Sequence, residues 1–277
     1  MLFLSKHHII DLYCFVDELL TEEKTRKVVG RPRLMSDSEI ITAIVWNTVV
    51  AKQMTLKDLH AHIVMYHSED FPHIPKYNAF LNRCHILAPK CLELLSLILD
   101  THAQTRIMDS TMLPVCTYER ADNHKVAQQI ARFGKNHQGW HYGFKLHASI
   151  NLNGKLSGLA LTPANVHDAQ IIPKLLNEHC RVAVGDSIYG ASVMRKYIWD
   201  TYGTVIIAPP HHKQKRKIST PWQIALLDVR SKIESVFDYL KNHLNLVTSF
   251  ARSINGYFVH YIRVLLSYQI MALSQRG

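Results

Sequence analysis

The stretch "YGFKLHASINLNGKLSGLALTPAN" constrains this chain most. Two runs of strand-forming residues meet at Asn153-Gly154, the dipeptide pair that most strongly favours a tight hairpin turn. A hairpin of that length needs a hydrophobic sheet around it. The segments beside it supply one. "RIMDSTMLPV" reads as a strand before it, and "RVAVGD" and "TVIIAPP" as strands after it. Between these last strands lie amphipathic segments of helical period, "HDAQIIPKLLNE" and "ASVMRKYIWDTY". A further long one, "PWQIALLDVRSKIESVFDYLKNHL", starts at Pro221 and is expected as a single helix. The predicted architecture is an α/β mixed sheet with an antiparallel hairpin on one side and helices flanking it.

Ahead of residue 105 the period is helical throughout. "HHIIDLYCFVDELLTEE" spaces Ile10, Tyr13, Val16 and Leu20 on one face. Ser36 and Glu39 form a capping box before "IITAIVWNTVVA". "TLKDLHAHIVMY" follows, and then "PKYNAFLNRCHIL" and "PKCLELLSLILDTHA", each opening at a proline, are read as two separate helices. The expected division is residues 1–104 as a small, helix-turn-helix-like DNA-binding region and residues 105–277 as the α/β region. A helical domain for protein contacts fits the same pattern.

Lys and Arg number 32 against 22 Asp and Glu, a net charge of +10. Such an excess suits a polyanionic partner, most simply nucleic acid. Five scattered cysteines suit a reducing compartment. The best apolar window, "GYFVHYIRVLLSYQIMALSQ", is interrupted by His260 and Arg263 and reads as a packed helix rather than a membrane span. Neither the histidines at 60, 62, 67 and 73 nor Cys84, His85 and Cys91 have the paired spacing of a structural zinc site.

Three carboxylates occupy places where a fold has little use for them. Asp109 interrupts an apolar strand. Asp186 ends the run Val182-Ala183-Val184, and strand C-terminal ends are where α/β sheets gather catalytic groups; capping the next turn is its structural alternative. Glu234 rides on the long helix, whose apolar stripe is Leu226, Val229, Ile233, Phe237, Leu240 and Leu244. On one continuous helix Arg230, Glu234 and Lys241 share a flanking stripe. An ordinary i,i+4 pair with Arg230 is the alternative for Glu234.

"MDST", "GDSIYG" and the spacing R-x-x-x-E-x-x-x-x-x-x-K resemble the catalytic core of DDE-type bacterial insertion-sequence transposases, with support from "GFKLH", "LTPANVHD" and the loop HHKQKRK. The resemblance spans about residues 105 to 270, and Asp186 and Glu234 lie 48 residues apart. It implies a ribonuclease H-like fold and two Mg²⁺ ions, replaceable by Mn²⁺, held by Asp109, Asp186 and Glu234. The implied reaction is strand cleavage at element ends followed by 3′-OH transfer into target DNA. The family's Tyr one turn before the Arg is Leu227 here, so no role is carried to it. Arg230, Lys241, Arg132, Lys135, His137, Lys213, Lys215, Arg216 and Lys217 are the expected DNA contacts. The implied partners are double-stranded DNA and further copies of the chain, in a homodimer or larger assembly. No membrane is implied, and the expected location is the cytoplasm, on the nucleoid. A structure-specific nuclease of the same fold and a non-catalytic DNA-binding relative are the competing readings.

Overall fold

The computed structural model describes residues 8–21, 33–52, 54–209 and 220–274 of the chain. They separate into two compact units, one from the described residues of 1–98, 240–246 and 250–277, the other from 99–239 and 247–249.

The first unit is all helical: α1 (His8–Thr21), α2 (Asp37–Val49), α3 (Leu56–Tyr66), α4 (Tyr77–Ile98) and α9 (Ile254–Ser274). The capping box forms as expected. Ser36 Oγ accepts from Glu39 N at 3.1 Å, and Ser36 N donates to Glu39 Oε2 at 2.6 Å. α2 packs against α1, α3, α4 and α9, which is why its residues Ile40–Thr48 are all buried. The two expected helices around Pro89 are instead one, α4, with the proline inside it. Pro89 removes one backbone donor and crowds the preceding turn. The apolar stripe Phe80, Cys84, Leu87, Cys91, Leu94, Leu95 and Ile98 runs unbroken past it, and its burial offsets that cost.

The two units divide after Ile98, and the first also takes in the last helix. α9 packs on α2 and α4, so the end of the chain belongs to the helical unit and not to the sheet. Two of its buried side chains bond within that unit: Arg263 Nη2 donates to Met54 O at 3.0 Å and Gln269 Nε2 to Ile98 O at 2.7 Å.

The second unit is built on a mixed sheet of six described strands: β1 (Thr105–Cys116), β2 (Arg132–Asn136), β3 (Gly139–Ile150), β4 (Leu156–Pro163), β5 (Val182–Val184) and β6 (Val205–Ile207). β1 is central, antiparallel to β3 and parallel to β5, with β6 parallel beyond β5. The free edge of β3 is shared. Its first half pairs with β2 and its second half with β4, both antiparallel. Asn153-Gly154 turns β3 into β4 as expected, with Gly154 at φ +83° and Asn151 Oδ1 accepting from the backbone of Asn153 and Lys155. This is the ribonuclease H-like arrangement, a mixed sheet flanked by helices after a helical N-terminal region. Met108, Ile172, Leu175, Ala183, Ile198 and Ile206 form the core between the sheet and α5 (Ile172–Leu175) and α6 (Ser192–Tyr202).

Two elements differ from expectation. Arg132–Asn136, not among the expected strands, forms the edge strand β2. The long helix from Pro221 is broken into α7 (Pro221–Asp228) and α8 (Ser231–Asp238), followed by a π-helical turn over Tyr239–His243. Successive i→i−3 bonds cause the first break: Arg230 N to Leu227 O at 3.1 Å, Lys232 N to Val229 O at 3.1 Å and Ile233 N to Arg230 O at 3.2 Å. They overwind the backbone locally. α7 buries none of its residues, whereas α8 buries Ile233, Val236 and Phe237. The break lets the two segments follow different surfaces.

Candidate active site

The site begins with the register of β1 and β5. Ile107 stands opposite Val184. Two residues further along each parallel chain are Asp109, within β1, and Asp186, just past the end of β5, so the fold brings these acids abreast. β1 is anchored just before this point. The guanidinium of Arg106, 1% exposed, donates to Leu175 O at 3.0 Å, to Thr101 O at 2.6 Å and to Asn177 Oδ1 at 2.6 Å. Each acid is also oriented by the backbone of the serine after it. Ser110 N donates to Asp109 Oδ1 at 2.8 Å, and Ser187 N donates to Asp186 Oδ1. One carboxylate oxygen of each is thereby held in place.

Burial is the main cause that pushes the Asp109 carboxyl up to about 6. The Ser110 N–H and the Arg230 guanidinium oppose the shift, and the negative charges of Asp186 and Asp168 add to it. Asp168 is an acid that sequence reasoning left in a supporting phrase. It lies in "LTPANVHD" and receives Lys145 Nζ at 2.9 Å; the same ammonium donates to Val166 O at 2.9 Å. His147, fully buried, has Nδ1 3.6 Å from Asp168 Oδ1 and Nε2 2.9 Å from Thr162 Oγ1. Its imidazole is held down at about 4, chiefly by burial, with Lys145 helping and Asp168 opposing. "GFKLH" and "VHD" are thus two halves of one buried polar network. The sequence signal was a Lys and a His two residues apart on a strand otherwise made of core residues.

Tyr189 completes the surroundings. It is 1% exposed, and its hydroxyl makes no hydrogen bond of normal geometry, although Ser110 is close enough to influence it. Burial raises its pKa, and so do the charges of Asp168, Asp109 and Asp186. The glycine of "GDSIYG" has its reason here. A Cβ on Gly185 would lie 2.8 Å from Tyr189 Cδ2, so only glycine admits the ring.

Glu234 stands on α8, which lies along β1. Its Oε1 pairs with Arg230 Nη2 at 3.0 Å, and its side chain is 55% exposed. Among the described residues no three His, Cys, Asp or Glu side chains converge closely enough to hold a metal ion. Asp109 and Asp186 are hard oxygen donors brought abreast, and Asp109 is an acid whose charge is disfavoured until a cation answers it. That pair fits a divalent ion such as Mg²⁺. Glu234, as it stands, serves Arg230.

The other expected residues are dispersed. Lys241 lies in the π-helical turn and belongs to the helical unit. Burial lowers its pKa, and the broken helix removes the shared stripe expected with Arg230 and Glu234. Arg132 Nη1 is spent on the carbonyls of Gln129 and Ala131, at 3.1 and 2.7 Å. Lys135 and His137 are exposed on the β2–β3 hairpin. Lys213, Lys215, Arg216 and Lys217 lie outside the described residues.

A solved structure of a pre-cleavage Mos1 transpososome is similar to this chain at 13% identity, covering 92% of this chain and 82% of that one. Its TM-score of 0.22 is too low to argue from. No curated protein sequence matches. The family model described as "Transposase DDE domain" matches residues 100–254, more than half of the chain. These residues include Asp109 and Asp186, the Lys145–Asp168 network and α8, and by that match the chain belongs to the transposase DDE domain family.

Proposed function

We propose that this chain is an insertion-sequence transposase that cuts DNA at element ends and transfers the freed 3′-OH into target DNA. The observation that carries the reading is the pairing of Asp109 with Asp186, two carboxylates abreast with one of them destabilised as an anion by its surroundings. Asp109, Asp186 and Glu234 would hold Mg²⁺, which when bound activates water and stabilises the leaving oxygen of a phosphodiester.

The chain's own residues prepare that state. The Ser110 and Ser187 backbones fix the inner carboxylates. Arg230 is within electrostatic reach of Asp109 while paired to Glu234. A DNA phosphate is a better partner for a guanidinium than one exposed carboxylate. As DNA arrives, Arg230 turns to the phosphate, and Glu234 is freed to join the other two acids. Lys145 neutralises Asp168, as Arg230 does Glu234, which leaves Asp109 and Asp186 as the two acids without a salt bridge among the described residues of this cluster. No protein nucleophile is involved, and Ser110, Thr111 and Ser187 are structural.

The helical unit is assigned the reading of element ends. Lys76, Asn78 and Asn82 are exposed there. Arg83 instead pairs with Asp37, which also receives Arg33 at 2.9 Å, and is withdrawn from that role. Lys213, Lys215, Arg216 and Lys217 supply phosphate contacts in the same reading, and synapsis of two ends calls for at least two copies of the chain.

The deciding experiment incubates the full chain with labelled end DNA and Mg²⁺. Joined products establish the transposase reaction. Cuts without joining indicate a nuclease of the same fold, and bound but intact DNA indicates a binding relative.

A further inference from the structure

The β2–β3 hairpin carries a surface that the acid site does not use. From Asn123 to His167 the sequence contains no Asp or Glu, whereas Lys125, Arg132 and Lys135 fall within that window and are exposed. Opposed residues in an antiparallel pair share a face. Phe133 is opposite Tyr142, and Lys135 is opposite Trp140. Phe133 packs on Tyr142 with ring centroids 4.9 Å apart, and on Tyr118 at 5.8 Å. Beyond this cluster Trp140 is left 52% exposed, with Lys135 Nζ 5.7 Å from its ring centroid. An exposed indole held beside a lysine, on a hairpin whose own strands carry no acid, has the chemistry of a nucleic-acid contact: an aromatic face for sugars and bases, and a cation for phosphate.

The hairpin is also firmly placed. A Cβ on Gly134 would lie 2.3 Å from Ala164 O, so β2 is pressed directly onto the chain leaving β4. Side chains alternate along a strand, so Trp140 faces the same side of β3 as Ala148, the partner of Asp109. Eight residues at about 3.3 Å each separate the two positions, a span of at most about 26 Å. Duplex DNA advances about 3.4 Å per base pair, so a span of that maximum length covers about seven whole base pairs.

On the reading of the acid site as the place of strand cleavage, we infer that the β2–β3 hairpin is a second duplex-DNA contact. Lys135 binds a phosphate and Trp140 lies against the adjoining sugar and base edges, about seven base pairs from the cleaved phosphate.

The test uses the full chain and end-DNA duplexes whose arm on one side of the cleavage point is either about four or about twelve base pairs, lengths that bracket the expected span; each side is tested in turn. Trp140→Ala and Lys135→Ala are each expected to weaken binding to the long-arm duplex on one side by roughly tenfold, with no change on the short arm. Lys135→Ala should also flatten the salt dependence by about 0.9 in slope. Trp140→Phe, which keeps an aromatic face, should retain most of the affinity. The thermal midpoint of Trp140→Ala should match wild type, since the ring is half exposed. Equal losses on both arms, or none on either, overturn the hairpin contact. Wild-type protein that binds the long arm without cutting defeats the cleavage reading alone, and the two variants then judge the hairpin by affinity.

Discussion

Asp109→Asn should make the metal-free protein more stable at neutral pH while it destroys cleavage. The folded state raises the Asp109 carboxyl from 3.8 to about 6, mainly through burial. In the unfolded chain the same group titrates near its ordinary value. Between the two pKa values the folded protein binds more protons than the unfolded one, so stability falls as pH rises through that window. Above about pH 6 the full penalty applies, and below about pH 4 it vanishes. At about 1.4 kcal/mol per pH unit the ceiling is about 3 kcal/mol. Asp109 is only partly buried, and solvent screening and relaxation reduce the expected value to about 1–2 kcal/mol. Asparagine keeps the oxygen that accepts from Ser110 N and removes the charge. For a chain of this size the gain corresponds to a rise of roughly 2–8 °C in the unfolding midpoint. The assay is calorimetry of wild type and variant in EDTA, from pH 4 to 8, following the transition of the sheet unit. The gap should open with pH and close near pH 4. A variant less stable than wild type at pH 7.5, or a gap that ignores pH, would refute the account of Asp109 as an anion kept at a cost for a cation. Added Mg²⁺ should then raise the wild-type midpoint, by linkage, and leave the variant unmoved.

Three other substitutions probe the neighbourhood. Glu234→Gln should lower DNA cleavage by orders of magnitude, yet change urea-unfolding stability by under about 0.5 kcal/mol, because its pair with Arg230 is largely exposed; near-normal cleavage in Mg²⁺ would remove it from the site. Gly185→Ala should cost about 1–3 kcal/mol by driving a methyl into the Tyr189 ring, and combining it with Tyr189→Leu should recover part of the loss in the same unfolding assay. Lys145→Met should cost about 3–5 kcal/mol, because it strands Asp168 without its buried cation; the double variant with Asp168→Asn should be milder, and a double variant as unstable as the single would show that packing, not charge, is what Lys145 supplies.

The strands were legible where local chemistry alone determines them. Asn153-Gly154 fits few conformations other than a tight turn, and Val182-Ala183-Val184 is too short and too apolar for anything but a buried strand. What was not legible depended on tertiary context. Pro89 signalled a helix boundary, but the core of the helical unit reads the apolar stripe on both sides of it as one. Residues 132–136 contain Gly134 and two cations and look like a loop. They become a strand because the free half of β3 needs a partner and Gly134 lets the backbone approach Ala164. The sequence likewise contains no marker that α9 leaves the sheet unit, since an apolar helix fits either core.

The acid site shows the same division at finer scale. Asp109 and Asp186 could be singled out because a carboxylate in an apolar strand, or at the tip of one, departs from what packing requires. Asp168 could not, because "NVHD" has the composition of any turn, and its meaning comes from Lys145 and His147 across the sheet. Glu234 was readable as an acid on the right helix, but its orientation was not. The helical wheel that grouped it with Lys241 assumed an unbroken helix, and three i→i−3 bonds around Arg230 and a π-turn after Asp238 remove that phase relation. The same break gives α8 a start of its own. Arg230 is its N-cap residue and Glu234 lies in its first turn, and their i,i+4 pair is the weaker orientation of such a pair, in which the cation precedes the acid. On the proposed function, a weak, half-exposed pair near a desolvated carboxylate is a contact that a DNA phosphate would displace, and the surface pair with Arg230 and the metal ligand would then be two states of Glu234.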